Sequence, residues 1–354
     1  MLTLLNMNLL TFLIDEHALN SLFADFSLLL LIFVIAVTII LLTRGADWMI
    51  EGSVNLAKKT GMSKVIIGAT ILSLGTTAPE VFVSVMAAFM GDSGLALGNG
   101  IGSIIADTGL IFGITVLIAA PPVNKWILNR TGWWQLGSAV FVVLLAAVSW
   151  ILFPDNPVIF RWMGVILVVL LAVYLYMTYY WAKNGNASPM PENIPENDED
   201  IILWKTFLML FGGLSLVIIS SRLLIPAAGE TAKRLGVPAD VIAATMVAFG
   251  TSLPELMTAI TAVRKGHPEI TVGNIVGADV LNALFVIGAA SIATPLSIPK
   301  TFYIFHFPVM LIILLSFRVF ISASKSGKFR RWQGGWLLLL YIVYIVLQYT
   351  LISI

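Results

Sequence analysis

Long apolar runs constrain the fold of this chain more than any other feature of its sequence. A helix that crosses the hydrocarbon core of a bilayer needs about 20 predominantly apolar residues. Of the 354 residues, 59% are hydrophobic and only 11% are charged, whereas a soluble domain carries about a quarter charged residues. We therefore expect an all-α integral membrane protein with ten transmembrane helices in the lipid bilayer. The predicted spans are 26–48, 64–90, 94–119, 132–153, 157–182, 202–226, 239–264, 269–294, 301–322 and 332–353.

Basic residues at the span ends and in the loops separate by side. In the ten-span arrangement fourteen Lys and Arg residues face one side and four face the other, while Arg44 and Arg222 fall inside spans near opposite sides. Because basic loops stay in the cytoplasm, we expect the larger group to be cytoplasmic, both termini to be extracytoplasmic, and the membrane to be the plasma membrane. The larger group is Lys58, Lys59, Lys64, Lys125, Arg130, Lys183, Lys205, Arg264, Lys265, Arg318, Lys325, Lys328, Arg330 and Arg331; the smaller is Arg161, Lys233, Arg234 and Lys300.

The two halves of the chain are related by a shift of 175 residues. "GTTAPE" (75–80) maps onto "GTSLPE" (250–255), and "GNGIGS" (98–103) maps onto "GNIVGA" (273–278). Each half holds five predicted spans, an odd number, so the second copy must be inserted upside down relative to the first. This predicts two inverted-topology five-helix repeats, an arrangement typical of secondary transporters.

These repeats set the expected domain boundaries. The first repeat covers 26–182 and the second covers 202–354. Residues 1–25 hold an apolar run too short to span, followed by Asp15 and Glu16, which indicates an interfacial or loosely ordered leader. Residues 183–201 are rich in Asn, Pro and acidic residues, which indicates an acidic cytoplasmic linker more readily than a metal-binding loop.

The doubled motif places ionisable residues where a charge costs about 2.5–3.5 kcal/mol or more. Pro79 and Pro254 each interrupt the helix, and freed backbone carbonyls are tolerated at membrane depth only where they line a cavity or are otherwise satisfied. The oxygens that the motif and the following helix supply are hard ligands suited to Ca²⁺ or Na⁺. They come from Glu80, Glu255, Thr76, Thr77, Thr251 and Ser252, with Asp107 and Asn282 at equivalent positions of the next helix in each half.

Other readings of these residues compete with ion binding. Proline kinks and Gly-xxx-Gly pairs also serve tight helix packing, but a carboxylate in both halves favours ion binding. Asp279 is read equally well as a snorkelling or helix-pairing carboxylate and as a ligand. His17, His267 and His306 are isolated and indicate interfacial or structural roles. The chain has no Cys, no phosphate-binding loop and no catalytic triad, so we expect no enzyme activity, no cofactor and no nucleic-acid partner.

The paired "GTTAPE…GNGIGS" and "GTSLPE…GNIVGA" blocks resemble the two α-repeats of the sodium/calcium exchanger family, in the Ca²⁺/cation antiporter superfamily. The resemblance covers essentially the whole chain. It implies that Glu80 and Glu255 share a central Ca²⁺ site with the backbone carbonyls of Thr76 and Thr251. It also implies that the first and sixth helices slide over the remaining bundle.

The resemblance further implies Na⁺ sites on either side of the Ca²⁺ site. One would use Thr77, Ser103 and the Ser73 carbonyl, the other Ser252 and the Ala248 carbonyl, with Asp107 and Asn282 completing the middle. The chain departs from the family pattern where Ala278 replaces the usual Ser, and where "GSN" becomes "GSI" (102–104) and "GAD" (277–279).

The function that follows is antiport of Ca²⁺ against Na⁺ by alternating access. Three alternatives remain open at the level of the sequence. Ala278 and Asp279 motivate an exchanger driven by H⁺ or K⁺, or one that carries another divalent ion. A passive cation channel would also use carboxylates at the membrane midplane, and a structural membrane scaffold is the third alternative. The sequence leaves the oligomeric state undetermined.

Overall fold

Helices form nearly all of the chain that the structure, a computed structural model, describes, which comprises residues 21–184, 202–236, 252–324 and 326–352. One antiparallel ribbon pairs β1 (Val158–Ile159) with β2 (Leu296–Ser297). In the described residues the main helices are α1 Leu28–Thr60, α2 Lys64–Thr76, α3 Ala78–Phe89, α4 Ser93–Ala119, α5 Lys125–Leu152, α6 Arg161–Asn184, α7 Leu203–Arg234, α8 Leu253–Arg264, α9 Pro268–Ala293, α10 Phe302–Ala323 and α11 Arg331–Ile352.

Seven of the described helices are long and apolar enough to cross a membrane: α1, α4, α5, α6, α7, α9 and α10. The pair α2 and α3, bent by 42° at its break, makes an eighth if it counts as one span. Of the predicted span 239–264, residues 239–251 lie outside the described residues. The predicted span 332–353 matches α11, whose 22 residues open with Arg331 and Gln333. The helical membrane class is thus confirmed at this coarser level.

The first helix is longer than its predicted span. The apolar run suggested 26–48, but α1 continues to Thr60, where Gly61 adopts a left-handed conformation with φ of 69° and ends the helix. Its second half stays helical because small and apolar side chains there, such as Ser53 and Leu56, are buried against other helices. Hydropathy alone marks the apolar part of a helix and not its end.

Three helices of the second half begin at the positions that the 175-residue shift predicts from the first half. The helix Ala78–Phe89 recurs as Leu253–Arg264, and the first helix, Leu28–Thr60, recurs as Leu203–Arg234, one residue short. The helix that begins at Ser93 recurs from Pro268. The sequence repeat is therefore also a repeat of local structure in the part of the chain that is described.

The two central helices are α4 and α9, in which 78% and 83% of the most apolar window is buried. By contrast only 22% and 28% of the most apolar windows of α1 and α7 are buried, and these two helices pack along each other. Glycine permits the closest approach in the core: a Cβ built on Gly273 of α9 would lie 2.0 Å from the Val65 carbonyl oxygen of α2. Outward-facing apolar side chains such as Leu29 and Ile151, 81% and 78% exposed, suit contact with lipid.

Candidate cation-binding centre

Each copy of the doubled motif places a residue of the same backbone conformation directly before a helix that has proline in its first turn. Thr77 separates α2 from α3 with φ of −81° and ψ of −6°, and Ser252 precedes α8 with φ of −84° and ψ of 7°. Pro79 and Pro254 then occupy the first turn of α3 and α8, where a missing N–H is harmless. The first-turn position also fixes the following carboxylates, Glu80 and Glu255, near the start of each helix.

A wide turn lies at the matching depth of each central helix. The π-helical segment of α4 is Ala106–Ile111, and that of α9 is Asn282–Val286. Such turns inside α-helices are frequent at functional sites. The equivalent residues Asp107 and Asn282 lie at or next to the start of these segments. The Asn282 amide donates to the Asp107 carboxylate across 3.4 Å. The two halves of the chain therefore meet at this pair.

Four carboxylates are buried in this region, each only 1% exposed: Glu80, Glu255, Asp107 and Asp279. The Glu255 carboxyl lies beside the Thr76 hydroxyl and within electrostatic range of Glu80, so the motif from one half faces the motif from the other. Asp107 lies within electrostatic range of both Glu255 and Asp279. No Lys, Arg or His is buried to the same degree in the described part of the chain. The interior therefore carries negative charge that a cation can neutralise.

Several oxygen atoms at this centre are buried and have no hydrogen-bond partner within the described ranges. Burial of an unpaired polar atom costs roughly 1–3 kcal/mol, so such atoms call for a ligand or a function. In the described residues no three acidic or histidine side chains lie close enough together to hold a metal ion by themselves. The oxygens available here are instead a mixture of carboxylate, hydroxyl and amide oxygens. The unpaired oxygens are Thr77 Oγ1, Glu255 Oε2, Asp107 Oδ1, Asn282 Oδ1 and Asp279 Oδ1.

The remaining predicted ligands fall into two groups. Ser73 and Ser103 are buried, and the Thr76 hydroxyl lies 3.4 Å from both the Ser73 carbonyl and Asn274 Oδ1. Thr251 and Ala248 lie outside the described residues.

Sequence reasoning missed the polar side chains that surround these ligands. Asn99 of α4 donates to the Glu80 carbonyl at 3.0 Å and to Ser84 Oγ at 2.9 Å, which fixes the first turns of α3. Gln135 of α5 and Thr108 of α4 both bond to Asp279. Only the "GN" dipeptide shared by the two halves could have indicated Asn99, and a lone Gln in an apolar span could have indicated Gln135.

The snorkelling interpretation of Asp279 is wrong. Its carboxylate is 1% exposed and is held in the interior by two donors from α4 and α5, so it does not extend toward a membrane surface. The interpretation of two of the histidines agrees with their contacts. His267 lies 3.0 Å from Lys64 Nζ near Glu269, and His306 lies 3.1 Å from Tyr344 Oη, away from the carboxylate centre. His17 lies outside the described residues.

Apolar membrane-length helices that enclose carboxylates and hydroxyls at their centre define an integral membrane protein of the cation-transporter class. The family model described as sodium/calcium exchanger protein matches residues 30–180 and 205–350. The chain therefore belongs to the sodium/calcium exchanger protein family, a family of transporters, and the resemblance seen in the sequence is confirmed.

Individual relatives match over nearly their whole length. A sodium/calcium exchanger of Methanosarcina acetivorans is 28% identical over 341 residues, which is 88% of this chain and 96% of the relative. A membrane protein of Methanocaldococcus jannaschii is 32% identical over 311 residues, 86% of this chain and 93% of the relative. A solved structure of the sodium-calcium exchanger NCX_Mj, soaked with Na⁺ and Sr²⁺, is 29% identical and has a TM-score of 0.74. The match includes 90% of this chain and 99% of that structure's chain.

Proposed function

We propose that this protein exchanges Ca²⁺ for Na⁺ across the membrane by alternating access. The observation that carries the proposal is the pair of buried carboxylates, Glu80 and Glu255. They lie in the first turns of the equivalent helices α3 and α8 and within electrostatic range of each other. A divalent cation in a low-dielectric interior needs two negative charges close by. The two glutamates, with the backbone carbonyls of Thr76 and Thr251, form the proposed Ca²⁺ site.

Sodium is proposed to bind on either side of this Ca²⁺ site. The ligand types are hydroxyl, carbonyl and amide oxygens, which suit a hard monovalent cation. Thr77 and Asn282 contribute oxygens that are buried and unpartnered within the described residues, which supports their assignment. The proposed ligands are Thr77, Ser103 and the Ser73 carbonyl on one side, Ser252 and the Ala248 carbonyl on the other, and Asp107 and Asn282 between them.

The proposed architecture is ten transmembrane helices in two inverted five-helix repeats, with the boundaries given above. The recurrence of helix bounds at a spacing of 175 residues supports the repeat. The charge asymmetry supports extracytoplasmic termini and a cytoplasmic 183–201 loop. The proposed location is the plasma membrane. In this arrangement α1 and α7 are the elements that slide, because they pack on each other and are little buried by the rest.

One set of contacts would have to break during that movement. Lys265 at the end of α8 forms ion pairs with Glu51 and Asp47 of α1, the latter at 3.5 Å. These pairs hold α1 against the bundle in the conformation described.

An exchanger that uses K⁺ is the second candidate. Asp279 adds a buried carboxylate beyond the residues assigned above. In addition, a human protein named sodium/potassium/calcium exchanger 1 is 31% identical over 170 residues, 46% of this chain and 15% of that protein.

Radiolabelled Ca²⁺ uptake into proteoliposomes separates these candidates. We expect uptake to be driven by an outward Na⁺ gradient and to stay near background with an outward K⁺ or H⁺ gradient alone. If a K⁺ or H⁺ gradient drives uptake equally well, the coupling ion is K⁺ or H⁺ rather than Na⁺. Ca²⁺ flux without any counter-ion gradient dependence would instead indicate a channel.

A further inference from the structure

Asp279 sits in a buried hydrogen-bonded ring that the proposed exchange sites do not use. Its Oδ2 accepts hydrogen bonds from Gln135 Nε2 at 2.6 Å and from Thr108 Oγ1 at 2.5 Å, and Gln135 Nε2 also lies 3.2 Å from Thr108 Oγ1. The three residues come from α9, α5 and α4. They are 1%, 2% and 0% exposed, so the ring is closed off from the surroundings.

The ring leaves one oxygen of Asp279 without a partner. Oδ1 is buried and has no hydrogen-bond partner among the described residues, although Oδ2 has two. Both donors are neutral, so they orient the carboxylate without cancelling its charge. A buried carboxylate that lacks an opposite charge is costly, and replacing it with the apolar side chain common in such helices would remove that cost.

The position of Asp279 is specific to the second half of the chain. Its equivalent in the first half is Ile104, and the equivalent of Thr108 is Ala283. The ring therefore has no counterpart in the other repeat, in contrast to the paired glutamates. A feature required only for packing two similar halves would not need a carboxylate in one of them.

We propose that Asp279, oriented by Gln135 and Thr108, binds one alkali-metal cation at a site additional to the Glu80–Glu255 site. Asp279 offers a single negative charge and one open carboxylate oxygen, which matches a monovalent ion. Asp107, which lies within electrostatic range, is held by Asn282 and also faces Glu255, so its charge belongs to the central site.

This inference rests on the proposed exchange function, because it assumes that Ca²⁺ binds at Glu80 and Glu255. It adds a second cation that binds together with that Ca²⁺. With Ca²⁺ at the glutamates, the Asp279 charge stays uncompensated unless a proton or a monovalent metal ion binds as well. Under the proposal, the state that holds one Ca²⁺ also holds one alkali-metal cation at Asp279.

Equilibrium binding to the purified full-length protein tests the proposal. In an antiporter Ca²⁺ and Na⁺ occupy the exchange sites alternately, so saturating Ca²⁺ keeps Na⁺ out of the proposed flanking sites. Under that condition we expect wild type to bind one ²²Na⁺ or ⁸⁶Rb⁺ per chain and Asp279→Asn to bind none. Asparagine keeps an acceptor for Gln135 and Thr108 but removes the charge. We expect the Kd for ⁴⁵Ca²⁺ of this variant to stay within about threefold of wild type, because the glutamates are intact. Equal monovalent binding by the two proteins would overturn the proposal, as would a second bound ⁴⁵Ca²⁺ or a proton in place of the alkali-metal ion.

Two further measurements keep the outcomes distinct. If Asp279→Asn does not fold, thermal unfolding of wild type at saturating Ca²⁺ decides: Na⁺ or Rb⁺ must raise the melting temperature relative to N-methylglucamine, since a bound ion stabilises the native state. No shift would overturn the proposal. Glu80→Gln should lose ⁴⁵Ca²⁺ binding yet retain a monovalent ion. Retained Ca²⁺ binding in that variant would refute the central Ca²⁺ site without touching the Asp279 site.

Discussion

Ala278 is the residue at which the two halves of the proposed ion pathway differ most simply. It is fully buried on α9 and is equivalent to Ser103 on α4. A methyl group cannot coordinate an ion, so the second half lacks one neutral oxygen that the first half offers. The loss of a neutral ligand weakens the binding of a monovalent ion more than the binding of Ca²⁺, because Ca²⁺ is held mainly by carboxylates.

We predict that Ala278→Ser lowers the Na⁺ concentration needed for half-maximal Ca²⁺ exchange and leaves the Ca²⁺ affinity nearly unchanged. Na⁺ titrations of ⁴⁵Ca²⁺ exchange in proteoliposomes provide the measurement. Since serine is only one oxygen larger, the variant also tests the packing interpretation. An unchanged Na⁺ dependence would mean that Ala278 is only a small residue for close helix contact, and it would favour H⁺ or K⁺ as the coupling ion.

At this scale the sequence predicted the residues that occur in pairs and missed Gln135 and Thr108, which do not. The doubled motif drew attention to Glu80 and Glu255, and the repeat drew attention to Asp107 and Asn282. Gln135 and Thr108 have no polar counterpart in the other half, so the repeat did not mark them, and Asp279, which aligns with an isoleucine, was predicted only as one of several alternatives. The hydrogen bonds among Gln135, Thr108 and Asp279 form only where α4, α5 and α9 pack together, and a single sequence does not show which helices pack together.

Among the helices, α2 and α9 make a very close contact, and this contact offers a sharp test of the packing. A Cβ at Gly273 would lie 2.0 Å from the Val65 carbonyl oxygen, a backbone atom that cannot rotate away. We predict that Gly273→Ala separates the two helices and lowers stability by about 1–3 kcal/mol or more.

Thermal unfolding in detergent checks this prediction, with Gly102→Ala as the matched control. The Cβ of that variant would meet nothing within 4 Å, although it too lies in a central helix. We expect a lower melting temperature for Gly273→Ala than for Gly102→Ala. Equal melting temperatures would show that α9 does not pack as closely on α2 as described.

The existence of the helices could be predicted from apolar runs. The break at Thr77 and the start of α8 after Ser252 could be predicted from the prolines that follow. The ends and the internal π-helical turns could not. Helix α1 continues beyond its apolar run to Thr60 because small side chains there are buried. The π turns at Asp107 and Asn282 lie in helices that are buried on nearly every side, so no change of an amphipathic pattern marks them in the sequence.

For the whole molecule, the membrane orientation is the prediction that remains to be tested. The charge distribution predicts that a cysteine at Asn193 is labelled by an impermeant reagent only from the cytoplasm. A cysteine at Asn156, in the exposed turn between α5 and α6, should be labelled only from outside. The natural chain has no Cys, so each variant carries a single reporter. Labelling of both positions from the same face would contradict the ten-span arrangement and the inverted repeat.

The central claim for the whole molecule is that the buried glutamates from the two halves neutralise a transported Ca²⁺. The measurement that tests it most directly is Na⁺-driven ⁴⁵Ca²⁺ uptake by Glu255→Gln in proteoliposomes, beside Glu230→Gln. Glu230 lies on α7 and bonds to Arg234 at 2.8 Å, a contact that glutamine can keep. We predict that uptake falls to background in Glu255→Gln, because one carboxylate leaves the divalent charge uncompensated, and that Glu230→Gln stays near wild type. Near-normal uptake by correctly inserted Glu255→Gln would contradict the account.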